Sequence, residues 1–231
     1  MEIKNKIIII TGASQGIGLA AAKHLSKLGA KVVIAARSEN LINSLERELP
    51  GSLAIVTDMR EPGDIKNLMK RTIDKYGKID ILINNAGQGM YGPVESMNVE
   101  HYKEIMELNV FSVVRSMQEV IPIMKKQGGG MIVNISSALT KMYIPGISAY
   151  SSTKYALNCI SLIARQELEK DNIIVSIVEP NMTATNFGKN SIGARPDWSA
   201  SGRQAPQIDP AEKVAGVIES IIRSGEAEMR V

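Results

Sequence analysis

Cysteine is nearly missing from this sequence. Cys159 is the only one in 231 residues, so no disulfide can form within the chain, and a reducing compartment suits it. It is expected to serve as a small buried packing residue. Aromatic residues make up only 4%, with one Trp and two Phe. No apolar run approaches the roughly 20 residues that a membrane-spanning helix needs. The stretch at 7–10 is too short for a signal-peptide core and has no cleavage pattern behind it. The cytoplasm is the expected location, with no membrane partner. An excess of one charge is also lacking: 27 Lys and Arg face 24 Asp and Glu, a net charge of +3 with no long basic run. That balance excludes a nucleic-acid footprint. The two histidines, His24 and His101, have no cluster of further ligands at metal-binding spacing.

What is present is ordinary globular composition, 44% hydrophobic and 22% charged, enough for one substantial core. Short β-rich apolar runs occur at 7–10, 31–35, 53–56, 79–83, 131–135 and 173–178. They show little alternation, as strands covered on both faces do. Helical patterns lie between them. One covers 16–27 and stops at Gly29, a C-cap candidate. Another covers 62–76, with Pro62 in its first turn, where a missing N–H costs nothing. Asn98 is an N-cap candidate for a helix to about 108, and further helices are expected over 113–126 and 150–170. In the last of these Leu157, Ile160, Ser161, Ala164 and Leu168 share one face.

Such alternation predicts an α/β fold with a Rossmann-type doubly wound sheet. The sheet is expected to be mainly parallel, of about seven strands, with helices on both faces and a last strand at 228–231. No linker or repeat divides the chain, so residues 1–231 read as a single domain. One stretch breaks the rhythm. Residues 182–208 are rich in Gly, Ser, Pro and Asn, with Phe187 and Trp198 among them. They follow the sixth strand, at the sheet edge where open α/β folds bind ligands, and read as a substrate lid, with a plain surface loop as the alternative.

Directly after the first strand comes Thr11-Gly12-Ala13-Ser14-Gln15-Gly16-Ile17-Gly18. Glycines there let the backbone approach a pyrophosphate, and the following helix offers its N–H groups and dipole. The spacing G-x-x-x-G-x-G differs from the general dinucleotide fingerprint, and a plain tight turn is the bland alternative. With this segment the chain resembles the short-chain dehydrogenase/reductase family, whose cofactor motif T-G-x-x-x-G-x-G it matches in full. The resemblance continues through Asn84-Asn85-Ala86-Gly87, Asn109, Asn134-Ile135-Ser136-Ser137 and Tyr150-Ser151-Ser152-Thr153-Lys154, in family order over nearly the whole chain.

The resemblance implies a nicotinamide dinucleotide held by Gly12, Ser14, Gln15, Gly16, Ile17 and Gly18, and by Asn85, Ala86 and Gly87. Asp58 matches the family residue that fixes the adenine ring. The second strand ends Ala35-Ala36-Arg37-Ser38. Ala36 stands at the NAD-type carboxylate position, and Arg37 follows it with a guanidinium able to pair with a 2′-phosphate. Ser38 adds a hydroxyl or caps the next helix. NADP(H) is therefore the expected cofactor and NAD(H) the second option, although Gln15 stands where NADP-preferring relatives often carry another base. Pro180, Thr183 and Thr185 match the segment that contacts the nicotinamide end. The family usually has Pro-Gly where this chain has Pro180-Asn181, and asparagine tolerates positive φ better than most residues.

Tyr150 and Lys154 are four apart on an expected helix and share one face. A phenol titrates near pH ~10, too high for acid–base work at neutrality, and a nearby ammonium favours the phenolate. By resemblance Tyr150 is the general acid/base, Lys154 also binds the nicotinamide ribose, Ser137 holds the substrate oxygen, and Asn109 positions a relay water. Ser136 is the neighbouring candidate for Ser137. A capping or helix-kinking role for Asn109 is compatible with the relay.

The implied reaction moves a hydride between NADP(H) and a small-molecule carbonyl or alcohol carbon. The alternatives are an NAD-dependent alcohol dehydrogenase and a non-catalytic NADP(H)-binding regulator. Leu139, Tyr143, Met182, Phe187 and Trp198 are the candidate substrate-pocket residues, with Met90 and Met142 near strand ends. Relatives assemble through the two long helices at 113–126 and 150–170, so a homodimer or homotetramer is expected.

Overall fold

The computed structural model describes residues 1–194 and 208–231. The strands are β1 (Ile7–Thr11), β2 (Lys31–Ala36), β3 (Leu53–Val56), β4 (Ile81–Asn84), β5 (Gly130–Ile135), β6 (Ile173–Glu179) and β7 (Glu228–Arg230). They form one seven-stranded sheet in the order β3-β2-β1-β4-β5-β6-β7, and every neighbouring pair is parallel. The helices are α1 (Gly16–Lys27), α2 (Glu39–Glu48), α3 (Pro62–Tyr76), α4 (Val99–Met106), α5 (Ser112–Lys126), α6 (Ser148–Leu168) and α7 (Ala211–Ser224).

Two apolar layers flank the sheet, which explains the lack of alternation in the strand sequences. In β1, Ile8 and Ile10 join α1, α2 and α7 in one cluster, while Ile7 and Ile9 join α3, α5 and α6 in the other. Both faces are dry, so both parities must be apolar. This is the Rossmann-like doubly wound sheet expected from the sequence. Among the described residues no helix is long and apolar enough to cross a membrane.

The boundaries follow the local signals closely. Asn98 accepts from the backbone N–H groups of Glu100 and His101 as an N-cap. Gly29, at φ 86°, turns the chain just past α1. The fourth strand begins at Ile81, and just before it the Asp80 side chain accepts from the backbone N–H of Ile7 at 2.8 Å and from Lys6 and Lys78.

One expectation fails: Cys159 is exposed. The buried face of α6 carries Tyr150, Lys154, Leu157, Asn158 and Ser161, and the helical step from Asn158 to Cys159 turns the thiol outward. Of the stretch 182–208, residues 195–207 lie outside the described residues, Trp198 included.

The strand order reverses between β1 and β4, which lie side by side while their connections run to opposite ends of the sheet. A crevice opens beyond the strand C-termini at such a point. Every motif noted above ends there.

Candidate active site

A cleft of about 910 Å³ runs along this edge, near the top of the ~300–1,000 Å³ range of small-molecule sites. Its middle is the glycine turn. Gly12 sits at φ +65°, and a Cβ there would come within 2.9 Å of the Ala86 Cα. A Cβ on Gly18 would lie 2.5 Å from the Gly12 carbonyl oxygen and 2.6 Å from Asn85 Nδ2. The turn is pinned to β4: Thr11 Oγ1 accepts from the N–H groups of Asn85 and Ala86, both at 3.0 Å, and Asn85 Nδ2 donates to the Thr11 carbonyl at 2.8 Å. Gln15 precedes α1, and no side chain caps that helix. Its first N–H groups therefore stay available to an anion. Ser14, Gln15, Gly16 and Ile17 line the cleft with Ala86 and Gly87, whereas Gly18 is buried beneath the turn.

At one end of the cleft Tyr150, Lys154, Ser137 and Asn109 come together. Tyr150 and Lys154 share the inner face of α6, both buried. The Ser137 side chain lies near enough to the Tyr150 hydroxyl to favour its phenolate, and Ser137 Oγ accepts from the Leu139 N–H at 3.2 Å. Ser136, beside it, also lines the cleft and has a buried hydroxyl with no partner among the described residues. Lys154 Nζ donates to the Ile135 carbonyl at 2.9 Å and stands 5.9 Å from the Tyr150 ring centre.

Asn109 lies within a π-helical segment, Glu107–Phe111, that joins α4 to α5. Such bulges often mark functional sites. This one turns the Asn109 amide back to Gln88, accepting from its N–H and donating to its carbonyl, both at 2.9 Å, with a further bond to Thr153 Oγ1 at 3.1 Å. Helix distortion and site placement thus coincide at Asn109.

Burial sets the two titrations. It pushes the Tyr150 phenol up, with the Ser137 side chain pulling the other way. The expected lowering by the ammonium is not what the protein alone produces: burial, which raises the phenol, outweighs the Ser137 contribution that favours the phenolate. Burial brings Lys154 down to about 8. Reductive kcat/KM is therefore expected to hold below about pH 8 and fall above it as the ammonium is lost. Lys154→Arg keeps a cation at every accessible pH and is expected to move that limb upward; a pH profile of each protein checks this.

At the opposite end Ala36, Arg37, Ser38, Thr57, Asp58 and Arg60 line the cleft. Ser38 precedes α2 but makes no side-chain cap bond, which leaves its hydroxyl to the cleft. Asp58 accepts from the Arg60 backbone N–H at 3.0 Å, and its own N–H donates to Asp64 at 2.9 Å. Thr183 and Thr185 lie beside the glycine turn, and a Cβ on Gly16 would touch the Thr185 side chain at 3.0 Å. Pro180 also lines the cleft. The turn after it does not use positive φ, which among non-glycine residues occurs only at Asn5 and Asn172 in the described chain. Asn181 instead braces the turn through Asp209 at 3.2 Å and the Val231 carbonyl at 2.5 Å.

A family model described as short chain dehydrogenase matches residues 6–195. The chain belongs to the short-chain dehydrogenase family. Mouse "Dehydrogenase/reductase SDR family member 7B" is 32% identical over 221 residues, covering 89% of this chain and 68% of that protein. A short-chain dehydrogenase from Streptomyces avermitilis superposes with a TM-score of 0.87 at 29% identity, over 98% of this chain and 88% of the other. A short-chain dehydrogenase/reductase from Burkholderia phymatum, solved in complex with NAD, superposes with a TM-score of 0.88 over 100% of this chain and 90% of the other. Its 23% identity speaks to the fold alone. Membership makes the chain an oxidoreductase enzyme.

Several residues of this dehydrogenase's site escaped the sequence reading. Glu179 ends the apolar strand β6 as a buried carboxylate that accepts from Thr140 at 2.7 Å, Asn158 at 3.0 Å and Arg230 at 2.9 Å. Burial alone would raise its pKa, but these bonds hold it below the usual value. It ties α6 to the turn after Ser137 and to β7, and a lone acid ahead of Pro180 was its sequence signal. Gln88 is another, bonded to Arg60 at 3.0 Å and to the Asn190 carbonyl at 2.9 Å; nothing in its sequence context marks it. Of the substrate-pocket candidates, Leu139, Met142, Met182 and Phe187 line the cleft, whereas Tyr143 is 87% exposed, is not among the lining residues and stacks on Tyr155.

Proposed function

We propose that this dehydrogenase is an NADP(H)-dependent carbonyl reductase or alcohol dehydrogenase with Tyr150 as its general acid/base. The carrying observation is the charge of the cleft. Among its described lining residues Arg37, Arg60, Lys154 and Lys189 are cations, and Asp58 is the only carboxylate. An elongated site with that imbalance, centred on an uncapped helix N-terminus and close-packed glycines, suits a polyanionic dinucleotide. Gly12, Gly16 and the N-terminus of α1 would hold its pyrophosphate, Asp58 its adenine, and Lys154 its nicotinamide ribose. When bound, the nicotinamide supplies or takes the hydride.

The chain's own residues then handle the oxygen and its proton. Ser137 donates to the substrate oxygen and stabilises the charge that develops there. Tyr150 gives its proton to that oxygen during reduction and takes it back during oxidation. Lys154, held by the Ile135 carbonyl, favours the phenolate left behind. Asn109 keeps the Gln88 backbone and α6 in fixed relation. Apolar residues of the cleft include Leu139, Met142, Ile144 and Phe187, and the Phe187 ring lies 5.5 Å from that of Tyr150. The substrate is thus an uncharged, largely apolar carbonyl compound.

Residues 182–194 form the described part of a lid over it. They are tied down where Tyr91 N–H donates to Ile192 at 2.8 Å and Ile192 N–H to Gly89 at 3.0 Å. The test is kcat/KM with NADPH and with NADH against neutral and carboxylate-bearing carbonyl compounds. NADPH is expected to be preferred, and apolar ketones and aldehydes to outpace their charged congeners. Preference for NADH would refute the cofactor assignment, and preference for charged substrates the substrate class.

A further inference from the structure

The glycine turn of this enzyme, Thr11 to Gly18, contains no Lys or Arg. A single arginine, Arg37, is then left to meet a 2′-phosphate, and its side chain is 66% exposed. A long exposed side chain loses much rotamer freedom when it is pinned, and its charge is screened by water. On its own it is a weak handle for a dianion.

The structure supplies a second arginine from a different strand end. Arg60 Nη1 lies 3.8 Å from Asp58 Oδ2, and Arg37 Nη1 lies 4.0 Å from the same oxygen. Two guanidinium groups, one following β2 and one following β3, therefore converge on one point at the adenosine end of the cleft. The lone carboxylate holds two cations that would otherwise repel each other, and it leaves one positive charge uncompensated. Arg60 is also the better ordered of the two. Its side chain is 27% exposed, and its Nη2 donates to Gln88 Oε1 at 3.0 Å. Gln88 is in turn fixed through its backbone by Asn109. Much of the ordering cost of Arg60 is met before any ligand arrives.

We infer that Arg60 acts with Arg37 as a two-arginine clamp on the 2′-phosphate of the cofactor, and so determines specificity for NADP(H) over NAD(H). This rests on the NADP(H) reading above. The three outer oxygens of a phosphate can accept from both guanidinium forks at once. Arg60 reaches it from the β3 side, replacing the missing base of the glycine turn. Gln88 sets the Arg60 side chain, and Ser38 offers its uncommitted hydroxyl from the β2 side.

The test measures binding to the purified enzyme by calorimetry, with adenosine 2′,5′-bisphosphate and adenosine 5′-monophosphate as probes that differ only in the 2′-phosphate. Wild type is expected to bind the bisphosphate more tightly. Arg60→Ala is expected to weaken the bisphosphate by roughly tenfold or more, as loss of a charge-assisted contact does, and to leave the monophosphate unchanged. Arg60→Lys, which keeps the charge but loses the fork, is expected to fall between. Equal weakening of both probes by Arg60→Ala would overturn the clamp, since a merely structural arginine acts on both. Full discrimination retained in Arg60→Ala but lost in Arg37→Ala would overturn the clamp and leave the NADP(H) reading intact. Absence of discrimination in wild type would overturn that reading itself.

Discussion

Tyr150→Phe is expected to lower kcat by about a hundred- to ten-thousand-fold, the usual range for removing a general acid/base, while the affinity for the dinucleotide stays near that of wild type. The substitution deletes one oxygen and keeps the ring. Tyr150 sits buried on the inner face of α6, with the Phe187 ring against it, and that packing survives in phenylalanine. Only the hydroxyl is lost. Because the proposed adenosine and pyrophosphate contacts involve other residues of the cleft, the effect is expected to fall on kcat with little change in cofactor binding. Turnover by the variant within about tenfold of wild type would remove Tyr150 from the proton-transfer step.

Gly18→Val is expected to abolish useful cofactor binding and to destabilise the fold at once. The first branch of the new side chain would meet the Gly12 carbonyl oxygen at 2.5 Å and Asn85 Nδ2 at 2.6 Å. Neither can yield easily. Gly12 is held at positive φ against Ala86, and Asn85 Nδ2 is already bonded to the Thr11 carbonyl at 2.8 Å. Overpacking of this kind costs about 1–3 kcal/mol, or roughly 2–4 °C of Tm for each kcal/mol in a chain of this size. The distorted turn is expected to cost more than about tenfold in dinucleotide affinity on top of that, since its backbone forms the anion site. Gly63→Ala in α3 is the control. A Cβ there meets nothing within 4 Å, so thermal unfolding should show no loss and up to about 1 kcal/mol of gain. Wild-type affinity in Gly18→Val would mean that the turn is not the pyrophosphate site.

How much of this was visible beforehand differs from residue to residue, for physical reasons. The strands of the central sheet were legible because both faces are buried, which forces unbroken apolar runs such as Ile7 to Ile10. That Tyr150 and Lys154 share the buried face of α6 was legible because they are one helical turn apart. The Arg60–Gln88 contact was not, because it joins residues 28 apart in sequence, and neither residue type is unusual where it stands. Glu179 was half legible as the one acid in a buried strand, but its three donors come from Thr140, Asn158 and Arg230, on three other parts of the chain. Cys159 was misjudged although the buried face of α6 was legible: Leu157, Ser161, Ala164 and Leu168 are buried as their spacing implied, and Cys159 lies off that face.

The most direct test of the central proposal follows the hydride itself. The enzyme is incubated with NADPH deuterated at the transferable ring position and an apolar ketone, and the alcohol product is examined by mass spectrometry. Hydride transfer between nicotinamide and carbonyl carbon predicts deuterium on the carbinol carbon, formed about a hundred- to ten-thousand-fold more slowly by Tyr150→Phe. Alcohol formed without deuterium, or no alcohol at all from an enzyme that binds NADPH and a range of apolar carbonyls, would contradict it.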